Sequence, residues 1–197
     1  MPLTHLLYLH GFRSSPQSAK ARLMAQQMAA RLPGVVWYCP QLPASPKAAM
    51  QMVSDATAQW PGATMAVVGS SLGGFYATWV AEQRGCRAVL LNPAVNPARD
   101  LEKHIGTQTQ WHAPEEQFFF LPHYVDELRA LQCGGLQNPA RYLAIICKGD
   151  EVLDWREMQA RYATARLMVQ EGGDHAISNF ADYLGPVFAH LSDASAN

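Results

Sequence analysis

The chain has 197 residues, 49% of them hydrophobic, with 15 basic and 16 acidic side chains and a formal net charge of −1. That length suits one domain with a sizeable core, since domains run to roughly 100–200 residues. The near-neutral balance offers no basic field to neutralise phosphates, which argues against nucleic acid as a partner. No apolar run reaches the ~18 residues needed to span a bilayer, and a first strand starting at Leu3 leaves no room for a leader. Cys39, Cys86, Cys133 and Cys147 lie too far apart for a zinc knuckle or a redox pair. Three of them sit in or beside apolar segments, so they read as reduced thiols of a cytoplasmic protein.

Short apolar runs alternate with helical patterns along the chain. A strand over Leu3–Leu9 precedes a helix over Ser15–Arg31, rich in the strong helix formers Ala, Leu, Met, Gln and Arg. A strand at Val35–Tyr38 and a helix at Ser45–Gln59 follow. Next come a strand at Met65–Gly69, a helix at Leu72–Arg84 and a strand at Ala88–Leu91. The rhythm then breaks between Asn92 and about Asn138, where Pro, Gly and the aromatic run WHAPEEQFFFLPHY suggest an irregular, lid-like insertion. It resumes with a strand at Tyr142–Cys147, a helix at Asp154–Tyr162, a strand at Ala165–Gln170 and a helix at Phe180–Leu191. Continuously apolar strands alternating with helices predict a mostly parallel six-stranded sheet with helices on both faces, an α/β fold in one domain. Functional loops in such a sheet follow the carboxyl ends of the strands.

The strongest signal stands at such a place. VVGSSLGG ends the third strand and opens a helix, and it contains Gly69-x-Ser71-x-Gly73. By composition these three fixed positions would arise about 0.05 times in a chain of this size. The pattern fits a nucleophile elbow, a strained turn that projects a serine hydroxyl from the sheet edge, with glycines where a larger side chain would strike the neighbouring strand or helix. Ser70 has no such glycine pair, so Ser71 is the expected nucleophile. A serine hydroxyl needs a base to take its proton. His175 follows the last strand in EGGDHAIS, where Gly172 and Gly173 permit a sharp turn. His5 lies within the first strand, His190 in the last helix, and His104, His112 and His123 in the insertion. An acid between serine and histidine in chain order would orient the imidazole. Asp150 in KGDEVLD is the first candidate, with Glu151 and Asp154 as rivals; Asp154 also suits a helix N-cap. Asp174 lies too close to His175 along the chain to reach its Nδ1.

An anionic tetrahedral intermediate needs N–H donors already aimed at its oxygen. The residue after the nucleophile, Leu72, supplies one, and the loop after the first strand, HGFRSS, supplies the other through Phe12. His10 suits a buttress of this loop, Gly11 a close approach to substrate, and Arg13 and Ser14 either the entrance or a solvated loop. Trp111, Phe118, Phe119, Phe120 and Tyr124 suit an acyl pocket as well as ordinary core.

YLHGFRSSPQSAKA, PQLP, VVGSSLGGFYATW, LNPAV, GDEVLD and EGGDHA together resemble the signature blocks of the YqiA-like bacterial esterases, small single-domain α/β-hydrolases. The resemblance spans nearly the whole chain. It implies a serine hydrolase of carboxylic esters, acyl thioesters included, with Ser71, Asp150 and His175 as triad and neither metal nor organic cofactor. The same residues would serve an amidase or a perhydrolase, and a hydrolase-like binding module would keep the fold with an idle triad. Acyl-chain length, leaving group and oligomeric state are not written in these motifs.

Overall fold

The computed structural model describes residues 1–192. Its main sheet contains β1 (His5–Leu9), β2 (Val36–Tyr38), β3 (Met65–Ser70), β4 (Arg87–Leu91), β7 (Tyr142–Cys147) and β8 (Arg166–Gln170). Their order is β2-β1-β3-β4-β7-β8, and every neighbouring pair is parallel. β1, β3, β4 and β7 are buried almost throughout, which explains their continuous apolar text.

Alternate residues of these strands serve two cores. Leu7 and Leu9 of β1, Val67 of β3 and Leu90 of β4 join one core with α2 (Pro46–Ala56), α3 (Leu72–Arg84), α5 (Pro122–Ala130) and α6 (Trp155–Arg161). Leu6 and Tyr8, Val68 and Leu91 join the other with α1 (Ala19–Arg31) and α7 (Leu184–Ser192). The period of two along each strand thus assigns the helices to two faces. Among the described residues no helix is long and apolar enough to cross a membrane.

Two sequence expectations shift. The first helix begins at Ala19, because Ser18 is its N-cap and accepts the Ala21 N–H at 3.4 Å; upstream, the Ser15 hydroxyl closes a separate turn by accepting the Gln17 N–H. The stretch expected to be irregular holds α4 (Pro97–Glu102), an antiparallel pair β5 (Gly106–Thr109) and β6 (Gln117–Phe120), and α5. GTQT is too short and polar to read as a strand. α5 starts behind Leu121, which has no side-chain cap, so only Pro122 in its first turn marks the start.

β1 pairs with β2 on one side and β3 on the other, so successive connections leave in opposite directions. The crevice at this reversal lies between the loops following β1 and β3.

Candidate active site

Ser71 links β3 to α3 with φ +57° and ψ −121°, a region that non-glycine residues rarely occupy. Four backbone hydrogen bonds hold it there. Its N–H donates to Leu91 O at 2.9 Å, and its carbonyl accepts from Gly74 N, Phe75 N and Ala94 N at 2.8, 3.3 and 3.0 Å. The flanking glycines have steric causes. A Cβ on Gly69 would lie 2.1 Å from Gly73 O, and one on Gly73 would lie 2.0 Å from Leu9 O.

The residues that follow β3, β7 and β8 meet at the carboxyl edge of the sheet. Ser71 Oγ lies 3.0 Å from His175 Nε2, and His175 Nδ1 lies 2.7 Å from Asp150 Oδ2. The Asp150 carboxylate is wholly buried, whereas the imidazole keeps 20% of its surface exposed. The other oxygen, Oδ1, accepts the N–H groups of Val152 and Leu153, both at 2.8 Å. Three N–H donors, two on Oδ1 and one on Oδ2, hold the carboxylate in one orientation. The rivals have other partners. Glu151 Oε2 accepts the His175 N–H at 3.0 Å, and Asp154 caps α6 by accepting the Arg156 N–H at 2.9 Å. Asp174 folds over its own turn, accepting Ser178 N–H and Oγ–H, which pulls its pKa below the usual carboxylate value. Gly172 and Gly173 turn the chain at φ +72° and +76°, as their position before His175 suggests.

The loop after β1 carries the Phe12 N–H. His10 is buried, and its Nδ1 donates to Gly11 O at 3.0 Å while Nε2 accepts the Leu42 N–H at 3.1 Å. That pairing fixes a neutral ring, and burial keeps its pKa below the ordinary imidazole value. Ser14 N–H also donates to Gly11 O, at 3.2 Å. Because the peptide is planar and trans, holding Gly11 O sends the Phe12 N–H the opposite way. Leu72 opens α3, where an N–H has no intrahelical acceptor. Gly11 keeps this loop close to the serine, with its Cβ position 3.2 Å from Ser71 Cβ.

Arg13, with φ +60°, straps the loop to β5. Its Nε donates to Thr109 O at 2.6 Å and its Nη2 to Thr109 Oγ1 at 2.8 Å. Its guanidinium lies 4.1 Å from the Trp111 ring centre, and its carbonyl accepts the Trp111 N–H at 2.9 Å.

Two cavities adjoin. One, of about 130 Å³, is lined by Ser71, His175, Leu101, Trp111 and Leu153. The other, of about 230 Å³, is lined by His10, Gly11, Leu42, Tyr76 and Phe118. Phe12, Arg13 and Leu72 line both. The aromatic run therefore divides: Trp111 and Phe118 face cavities, Phe120 is core, Phe119 is 62% exposed, and Tyr124 packs on the core edge.

Two residues missed by the motif argument hold the histidine loop. Buried Asn92, after β4, donates from Nδ2 to Asp174 O and His175 O at 3.0 and 3.2 Å while its Oδ1 accepts the Cys147 N–H at 2.8 Å. Its φ of +41° is a conformation that Asn tolerates better than most residues, and an Asn directly after a strand in LNPAV was the available signal. Lys20, in the first turn of α1, donates from Nζ to Ala176 O. Burial lowers its pKa to about 8 against the pull of Asp174, Cys147 and Asp150. Between pH 8 and the ordinary lysine value of 10.5 the unfolded chain binds this proton more tightly than the folded one. The cost is therefore full below pH 8 and fades as pH rises to 10.5. Wild type is expected to gain in Tm on Lys20→Met across that window; parallel Tm curves would show a fully solvated ammonium.

The family model described as an uncharacterised protein family, UPF0227, matches residues 5–192. Solved structures with similar folds include a protein assigned as a hydrolase from Agrobacterium vitis S4, at 16% identity and TM-score 0.72, covering 97% of this chain and 88% of that one. Mouse α/β hydrolase domain-containing protein 10 aligns at 14% identity and TM-score 0.68, over 95% of this chain and 90% of that one. A monoacylglycerol lipase from Paleococcus ferrophilus aligns at 14% identity and TM-score 0.70, over 100% and 97%. The six-stranded parallel sheet with its two helical layers is the α/β-hydrolase fold, and the chain belongs to UPF0227, the YqiA-like family.

Proposed function

We propose that the protein is a serine hydrolase of carboxylic esters, acyl thioesters included. The observation that carries this reading is the continuous run of contacts from Ser71 Oγ through His175 to the buried Asp150 carboxylate, at 3.0 and 2.7 Å. His175 Nε2 takes the Ser71 proton as Oγ bonds to the acyl carbon. The resulting oxyanion accepts from the Phe12 and Leu72 N–H groups. Asp150 keeps the proton-bearing Nδ1 fixed and stabilises the imidazolium. His175 then gives its proton to the leaving oxygen or sulfur as the bond to the acyl carbon breaks. Water repeats the sequence on the acyl-enzyme and releases the acid. The lipase and hydrolase named above share this fold and so agree with the reading.

The test is hydrolysis of p-nitrophenyl esters from acetyl to palmitoyl, paired with fluorophosphonate labelling and mass mapping. Turnover is expected to peak at short to medium acyl chains, because a cavity of about 230 Å³ falls below the ~300–1,000 Å³ of sites for drug-sized ligands. The label is expected on Ser71. No turnover, no stoichiometric p-nitrophenol burst and no label would overturn the reading and leave a binding module.

A further inference from the structure

The cavity that touches Ser71 and His175 carries an uneven charge. Arg13 and Lys103 both line it. Arg13 is engaged by the neutral Thr109 and the Trp111 ring, and among the described residues it forms no ion pair with a carboxylate. Lys103, exposed at the end of α4, forms no ion pair among the described residues. Asp100 also lines the cavity, but the Arg99 guanidinium holds it at 2.8 Å. His104 lies on the same wall, and burial together with the Lys103 and Arg13 charges lowers its pKa. The two cations therefore act on one small volume. The rest of the lining is largely apolar, with Leu101, Val152 and Leu153 among its walls.

The chemistry fixes which half of an ester occupies this volume. His175 must hand a proton to the leaving atom, so the leaving group lies on the histidine's side of the acyl carbon. The smaller cavity touches both Ser71 and His175; the larger touches neither, though Phe12 and Leu72 line it. The larger one accordingly takes the acyl chain. We propose that the preferred substrates are esters whose leaving group bears an anionic substituent, received by Lys103 and Arg13 at the mouth of the smaller cavity. This rests on the serine-esterase reading and specifies its substrate class. In that step the Ser71 Oγ–acyl bond forms, the acyl bond to the leaving oxygen breaks, and the anion departs with the released alcohol.

The experiment compares 3-butyryloxy-4-nitrobenzoate, whose leaving group is anionic, with neutral p-nitrophenyl butyrate and with mono-p-nitrophenyl glutarate, whose anion is on the acyl part. Dividing each variant's anionic-to-neutral ratio of kcat/KM by that of wild type cancels the intrinsic reactivities. For the anionic leaving group this ratio is expected to fall about 3-fold in Lys103→Gln and about 10-fold in Lys103→Glu, as befits an exposed charge facing a cleft. Added salt is expected to compress the difference. Lys47→Glu makes the same change in net charge at an exposed position of α2 and is expected to keep the wild-type ratio. An unchanged ratio in Lys103→Glu, an equal fall in Lys47→Glu, or a fall confined to the glutarate ester would overturn the proposal. Failure of every ester together with absence of Ser71 labelling would instead remove the esterase reading itself.

Discussion

Ser71→Ala is expected to lower kcat/KM on p-nitrophenyl butyrate by about 10⁵-fold, because groups that act as one unit lose nearly everything when any one is removed. Without Oγ there is no acyl-enzyme, while the Phe12 and Leu72 N–H groups and both cavities persist. A residual rate of about 10³-fold over water is expected from positioning and oxyanion donors alone. His175→Ala should fall into the same range, and the double variant should be no slower than either single one. That non-additivity separates a shared mechanism from two independent injuries. The fold is expected to survive, since alanine at position 71 keeps all four backbone hydrogen bonds of the turn. A Ser71→Ala protein within ten-fold of wild type would remove Ser71 as nucleophile.

Gly73→Ala is expected to have the largest effect on stability. The added methyl carbon would stand 2.0 Å from Leu9 O, 2.5 Å from Leu9 C and 2.7 Å from His10 O. These are backbone atoms at the end of β1, a strand paired on both sides, so no side chain can rotate away. Either α3 tilts off the sheet or β1 shifts, and both break the all-apolar packing beneath the elbow. A cost of at least about 3 kcal/mol is expected, above the common range for overpacking in cores that can adjust. Urea unfolding measures it. Gly134→Ala serves as the comparison, because beyond its chain neighbours nothing lies within 4 Å of a Cβ there, its backbone is not left-handed and the residue is exposed. That change is expected to be neutral or stabilising by up to about 1 kcal/mol. Equal losses at both positions would discard the steric account.

The parts of the fold that were readable in the sequence are those governed by local rules. Gly69 and Gly73 reveal the elbow because backbone contacts across a tight turn exclude any Cβ, and that restriction depends on neighbours close in space and in chain. The strands carrying Leu6, Val67, Val89 and Ile145 were visible because burial on both faces leaves few polar positions, and those at strand ends. Asp150 and His175 were located by the rule that loops follow strand ends. Lys20 lies outside that rule, and Asn92, though directly after β4, carries no motif of its own; their partners lie 55 to 156 residues away and only packing brings them together. The β5–β6 hairpin escaped for a related reason. Phe118 and Phe120 face Phe12 at ring distances of 5.9 and 5.4 Å, so the hairpin is organised by a loop a hundred residues upstream more than by its own alternation.

The Arg13 strap has a consequence for how this protein can diversify. Arg13 grips the hairpin through Thr109 and Trp111, and it is bonded directly to Phe12, the proposed oxyanion donor. Any drift in hairpin sequence that moves Thr109 is felt one peptide bond from that donor. Changes that reshape the cap for a new substrate are therefore coupled to turnover, and descendants of this chain must retune selectivity and rate together. Divergence should run faster at Phe119, which points outward, than at the positions the strap holds.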